Sequence, residues 1–265
     1  MTYEPIAPRA RVGFIIPSSN RMVEPQMQRY APAGIAPHFM RLRMTNQYKR
    51  PLPELLPSIL DAAALLMDSK CDIIVFQCTG TSMSGGVDMD AHVVSEIAKA
   101  TKRPAISTAS AVKAAFTALN AKRLVFISET GQTGHDKKKL FLMEAGYEIL
   151  ADKAAGLSGT DEYCTTPPSY WYDTAMALRD DRADAVFISC ANIHSIDVIE
   201  DLERDSGKPV VTSNQAALWC ALRTLGLPDV VPGLGSLFQL PSPLEGEGGA
   251  LRAKRATRAP GEGDD

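Results

Sequence analysis

Two stretches decide the fold: CDIIVFQCTG at residues 71–80 and ADAVFISCAN at residues 183–192. Each is an apolar run that ends in a cysteine and then passes into small or polar residues. A helical pattern follows each one. Next come RPAISTASAVKAAFTAL at 103–119 and KPVVTSNQAALWCALRTL at 208–225. Both read as a basic residue, a proline, a strand, a Ser/Thr cluster and an alanine-rich helix. An offset of about 110 residues is too long for a solenoid repeat, so the pattern predicts two similar lobes.

Working outward, the same alternation runs through the chain. Strands are predicted at 11–16, 37–42, 72–77, 105–108, 123–128, 147–151, 185–189 and 210–212. Helices are predicted at 52–69, 90–101, 109–119, 133–145, 169–179, 195–206 and 215–225. Near-continuous apolar strands alternating with helices imply parallel sheets covered on both faces, an α/β fold. From Pro241 onward the chain is rich in Gly, Pro and charge and lacks periodicity. Such a segment cannot bury enough surface to offset its ordering entropy, and 241–265 is expected to be disordered.

The chain has 265 residues, enough for one large or two small domains. Apolar residues make up 45% and charged residues 22%, with a formal net charge of −3, which excludes a disordered or collagen-like chain. No basic stripe precedes the tail, so nucleic acid is not an expected partner. No apolar run approaches the roughly 18 residues of a membrane span, and the N-terminal stretch has no cleavable signal pattern. The expected location is the cytoplasm, with no membrane partner. The five cysteines form no CxxC pair, which argues against zinc. An odd number without an export signal argues against a disulfide framework. No GxGxxG follows the first strand and no GxxxxGK[ST] occurs, so no nucleotide cofactor is expected.

In an open parallel sheet, ligands bind beyond the carboxyl ends of the strands. Four loops stand there. Pro17-Ser18-Ser19-Asn20 reads either as a capped turn or as a polar cradle for a carboxylate, with Ser18 and Asn20 as candidates. In Cys78-Thr79-Gly80-Thr81-Ser82 a thiol meets small residues at a helix start, where backbone N–H groups favour a thiolate or a bound anion. Ser189-Cys190-Ala191-Asn192 is the matching strand end in the second half. Two thiols facing one small ligand suit proton transfer at a carbon, or a nucleophile paired with an acid. Thr212-Ser213-Asn214-Gln215 and its repeat partner Ser107-Thr108-Ala109-Ser110 read first as helix caps and second as cleft lining. The four histidines are isolated in sequence, and His194 lies nearest a candidate thiol.

These residues resemble the aspartate/glutamate racemase superfamily, within it the branch of maleate cis-trans isomerases and arylmalonate decarboxylases. The resemblance covers about residues 10–240 and rests on IIPSSN at 15–20, FQCTGTS at 76–82, ISCANIHSIDVIEDLE at 188–203 and GKPVVTSNQAALWCALRTLGL at 207–227. It implies two pseudo-symmetric Rossmann-like lobes with the active site in the cleft between them, no cofactor, a small carboxylate substrate and a homo-oligomer. The implied division is 1–108 plus 216–240 for the first lobe and 109–215 for the second. By position, Cys78 resembles the isomerase nucleophile and Cys190 the acid/base thiol. Asn20 and Asn192 resemble carboxylate-binding residues, with Ser18, Thr79, Gly80 and Ala191 beside them. The decarboxylases normally carry glycine at the position of Cys78. Two departures stand out: Glu129-Thr130 where the family commonly has a tyrosine, and the loop GLSGTDEYC without an expected asparagine.

The resemblance therefore implies an isomerase that converts maleate to fumarate by thiolate addition and an enediolate. A racemase using both thiols and a malonate-type decarboxylase using Cys190 alone remain alternatives. So does a two-lobed acid-binding protein without catalysis.

Overall fold

The computed structural model describes residues 8–44, 47 and 49–241. The expected disorder of 241–265 falls outside the described residues from 242 on. Among the described residues the strands form two four-stranded parallel sheets. The first contains β1 (Ala10–Pro17), β2 (Ile35–Leu42), β3 (Ile73–Phe76) and β4 (Ala105–Ser107) in the order β2-β1-β3-β4. The second contains β5 (Arg123–Ser128), β6 (Glu148–Ala154), β7 (Ala185–Ser189) and β8 (Val210–Thr212) in the order β6-β5-β7-β8. The two orders are the same. In each, the direction of winding reverses between the first and third strands, the position at which such sheets open a crevice.

Sequence explains the inner strands. β3 (IIVF) and β7 (AVFIS) are buried at every position, as strands covered on both faces require. Gly13 of β1 fits because a Cβ there would sit 3.0 Å from side-chain carbons of Ile74 and Leu66 and 3.1 Å from the Cys71 sulfur. Helix α1 (Val23–Tyr30) follows β1, and α2 (Leu52–Asp68) leads into β3. α2 turns Leu52, Leu55, Ile59, Ala62, Ala63 and Leu66 inward, an apolar stripe at helical spacing. Truncating Ile59, which is fully buried, to alanine should cost about 2–5 kcal/mol. β3 passes into α3 (Thr79–Ser84), and α4 (Val87–Thr101) leads to β4.

The repeated Ser/Thr clusters are capping boxes. Ser107 caps α5 (Thr108–Ala118) with Ser110 as its reciprocal partner, and Thr212 caps α10 (Ser213–Thr224) with Gln215. Each pair satisfies two otherwise orphaned N–H groups. α5 packs against α10, so the two repeated helices meet between the sheets. In the second half, α6 (Gln132–Glu144) follows β5, and α7 (Thr160–Thr165) and α8 (Pro168–Ala177) follow β6.

The segment predicted as one helix over 195–206 is two elements. Ser195–Val198 is a 3-10 turn, and α9 spans Ile199–Ser206. Ile196 and Val198 are both buried, and two positions apart they cannot share one face of a 3.6-residue helix. The strand predicted at 147–151 runs instead over Glu148–Ala154, with a register shift opposite Leu124/Val125.

Candidate functional site

The two thiols occupy equivalent strand ends. Cys78 follows β3 and begins α3, and Cys190 follows β7. Cys78 is half-buried, and its sulfur lies 3.2 Å from Thr81 Oγ1. Burial pushes its thiol up, while the Thr81 hydroxyl and the Lys138 ammonium pull the other way. Cys190 is buried, and the N–H of Asn192 donates to its sulfur at 3.3 Å. Burial pushes this thiol well up, and the Glu129 carboxylate adds to the effect. Cys190 has φ +136°, outside the comfortable range for a residue with a Cβ. Strain of this kind costs about 1–3 kcal/mol and is held in place by its surroundings.

Those surroundings are hydrogen bonds between the two sheets. The Thr79 hydroxyl donates to Ser213 Oγ at 2.9 Å, and Ser213 Oγ accepts the Cys190 N–H at 3.0 Å. The residue after Cys78 is thus tied through one hydroxyl to the peptide of Cys190. Gln77 Nε2 donates to Asn214 Oδ1 at 2.8 Å. Asn214 Nδ2 donates to Gln26 Oε1 at 2.6 Å and to the Ala191 carbonyl at 3.1 Å. Gln26 Nε2 completes the chain on the Ile193 carbonyl at 2.9 Å. All of these polar side chains are buried, so each bond satisfies a group that would otherwise be costly.

Asn20 belongs to this set. Its Oδ1 accepts the N–H groups of Met22 and Val23, an Asx turn leading into α1, and its Nδ2 donates to the Ala191 carbonyl at 3.0 Å. Asn192 Oδ1 accepts the Arg21 N–H at 2.8 Å and lies 3.3 Å from the Cys164 sulfur. The structure therefore brings Asn20, Thr79, Cys190, Ala191 and Asn192 together with Cys78 at the meeting of the two sheets. Gly80 is exposed and lies against Lys138, whose Cε would be 4.0 Å from an added Cβ. Ser18 is exposed, and its backbone N–H is tied to the Leu42 carbonyl. His194 Nε2 is 2.9 Å from the Cys164 carbonyl oxygen, away from either thiol's hydrogen bonds.

The sequence does not mark several residues of the site as functional. Lys138 of α6 and Glu129, just past β5, form a buried ion pair at 2.5 Å. His135, one turn before Lys138, lies 2.7 Å from Ser128 Oγ and 2.8 Å from Asp152 Oδ2. Ser128, His135 and Asp152 have the connectivity of a hydrolytic triad. Ser128 and His135 expose no surface, however, so the set acts as a brace for the β5 end and for α6. A phenol also reaches the region despite Glu129-Thr130 standing where the resemblance places tyrosine. Tyr163 of α7 lies beside Thr130, and burial, with Glu129 close by, pushes it up to about 12. Among the described residues, no group of three or more His, Cys, Asp or Glu could hold a metal ion. No helix there is long and apolar enough to cross a membrane.

The sequence profile of the family described as "Arylmalonate decarboxylase" matches residues 12–238, well over half of the chain. The chain belongs to this family. Among its relatives, a maleate isomerase of Nocardia farcinica is 27% identical over 239 residues, covering 86% of this chain and 95% of its own. A solved structure of maleate isomerase from Pseudomonas putida S16 with maleate superposes with a TM-score of 0.82 at 25% identity, covering 87% of this chain and 97% of that one. A cysteine-to-serine mutant of the Nocardia farcinica maleate cis-trans isomerase carries a covalently bound succinylcysteine intermediate. It superposes with a TM-score of 0.81 at 25% identity, covering 87% and 98% of the two chains.

Proposed function

We propose that this family member is a two-cysteine cis-trans isomerase of a small unsaturated dicarboxylate, with maleate as the substrate to test first. The observation that carries the reading is the pair of thiols, Cys78 and Cys190, at equivalent strand ends joined through Thr79 and Ser213. The relative with a succinylcysteine intermediate shows what one such thiol does in a similar fold.

In this reading Cys78 is the nucleophile. Its thiolate adds to one alkene carbon, and the electron pair moves through the other carbon onto its carboxylate as an enediolate. The Cys190 S–H protonates that carbon, giving a thioether in which the former double bond is single and rotates. The Cys190 thiolate then takes the proton back, the C–S bond breaks, and the trans acid leaves with Cys78 as thiolate again. Peptide N–H groups around Thr79, Gly80, Ala191 and Asn192 hold the substrate carboxylates and the developing charge, with Asn20 and Ser18 lining the same loops. Donors preorganised at such a position are worth about 2.7–4 kcal/mol each in barrier height.

The same reading keeps the two-lobe division at 1–108 plus 216–240 and 109–215. It is supported by the break between sheets after β4 and by the packing of α10 on α5. The cytoplasmic location and the homo-oligomer are further parts of this proposal.

The test is incubation with maleate in heavy water followed by proton NMR. Fumarate that forms with the unaltered protein and not with Cys78→Ala supports the reading. A folded protein that yields no fumarate overturns it. Carbon dioxide from a substituted malonate, unaffected by Cys78→Ala, would instead favour decarboxylation by Cys190 alone.

A further inference from the structure

The two thiols have matching places in the fold, yet the proposed chemistry gives them opposite protonation states. Nothing in the repeated pattern separates them. Part of the asymmetry is local, since Cys78 opens α3 and meets Thr81 while Cys190 opens no α-helix; the rest comes from Glu129 and Lys138, which belong to the second half and have no counterpart in the Pro17–Asn20 loop of the first.

The pair is oriented. β5 and β7 run parallel with Ser128 level with Ser189, so the next residues, Glu129 and Cys190, leave adjacent strand ends side by side. Lys138 extends from α6 toward α3, and its stem lies against Gly80, two residues from Cys78. The anion is therefore beside Cys190 and the cation beside the Cys78 loop, with 2.5 Å between them. Both side chains are buried, where charges are weakly screened. Cys78 is met by Lys138 from α6, Glu129 from the β5 loop and Thr81 from its own helix. Cys190 is met by Glu129, by Lys138 and, from α7, by Tyr163. At Cys78 the cation outweighs the anion; at Cys190 the anion outweighs the cation.

The geometry points to the Glu129–Lys138 ion pair as the device that assigns the two thiols their roles: Lys138 favours the thiolate at Cys78, and Glu129 keeps Cys190 as the protonated acid. Both are positioning residues acting through the cysteines. The inference rests on the two-thiol reading above, but its consequence, two thiols titrating apart, needs no substrate to observe.

The experiment is alkylation by iodoacetamide across pH 6–11, with each cysteine's rate read by peptide mass spectrometry. The midpoint of each rate profile reports the thiol, whereas access affects only the plateau. In the unaltered protein Cys78 titrates at least one pH unit below Cys190, a tenfold difference in thiolate fraction. Glu129→Gln lowers the Cys190 midpoint by about one unit, and Lys138→Gln raises that of Cys78 by a similar amount. The double exchange Glu129→Lys with Lys138→Glu keeps an ion pair, so it remains informative where a single change unfolds the chain. It narrows or reverses the gap. Midpoints that coincide or stand in reverse order in the unaltered protein overturn the inference, as does a gap indifferent to these changes. Separated midpoints with no fumarate would refute isomerisation and leave the pair's role standing. Fumarate with coincident midpoints would do the opposite.

Discussion

The hydroxyls of Thr79 and Ser213 meet at 2.9 Å, and the second of them holds the peptide N–H of Cys190. One side chain thus sets the distance between the two halves of the candidate site. Ser213→Ala would leave the Thr79 hydroxyl and the Cys190 N–H buried without partners. The expected loss is about 1–3 kcal/mol of stability, seen as a lower denaturant midpoint. Turnover should fall at least tenfold, with Ser213→Thr retaining more of it than alanine. Unchanged stability would mean that the bond is dispensable.

Cys190 carries its side chain at φ +136°. Glycine takes this conformation without a Cβ penalty. Cys190→Gly should therefore be more stable than Cys190→Ala by about 1 kcal/mol, although both lose the thiol and its proton transfer. Thermal melts of the two variants decide the matter. Alanine matching or exceeding glycine would show that the backbone is not strained.

Asp90 of α4 is buried, with Oδ1 lacking a hydrogen-bond partner among the described residues, and desolvation pushes its carboxyl up to about 6. A carboxyl raised on folding stabilises the native state while it stays protonated. Its contribution is fully present below the ordinary carboxylate pKa near 4 and is lost as pH rises through about 6. Asp90→Asn removes this dependence. The variant should gain on the unaltered protein between pH 4 and 6.5, reaching about 1–3 kcal/mol at neutral pH. Urea titrations at pH 4, 5.5 and 7 measure it, and a gain that shrinks toward neutral pH would contradict it.

His135 braces the β5 end through Ser128 and β6 through Asp152. His135→Ala should cost roughly 3 kcal/mol, combining a cavity with lost hydrogen bonds. It should also loosen Glu129 and Lys138, which lie one and three residues from the braced positions. The check is the alkaline limb of the pH–rate profile, expected to move with His135→Ala and not with a cavity of similar size made at Ile59.

Much of this was readable from the residues. The apolar runs before Cys78 and Cys190 announced central parallel strands, and the Ser/Thr clusters at 107–110 and 212–215 are the capping boxes their composition suggests. α3 and α7, of six residues each, are too short to show a period, and α1 spans only eight. Lys138 sits in the middle of Lys137-Lys138-Lys139, a run that any solvated helix could carry. Only the fold turns the middle member inward onto Glu129. Gln77 and Gln26 were equally silent, because their bonds to Asn214 join residues 137 and 188 positions apart.

That separation bears on the order of events during folding. The bonds from Thr79 to Ser213, Gln77 to Asn214 and Asn20 to the Ala191 carbonyl span 134, 137 and 171 residues. Each closes a loop comprising more than half the chain, so its entropy is recovered only after the local βα units have formed. In a nascent or partly unfolded chain Cys78 and Cys190 are thus ordinary thiols not yet brought together. The paired arrangement of Cys78 and Cys190 forms as the final step of maturation, and recovery of catalysis on refolding should lag behind recovery of helix and strand signals.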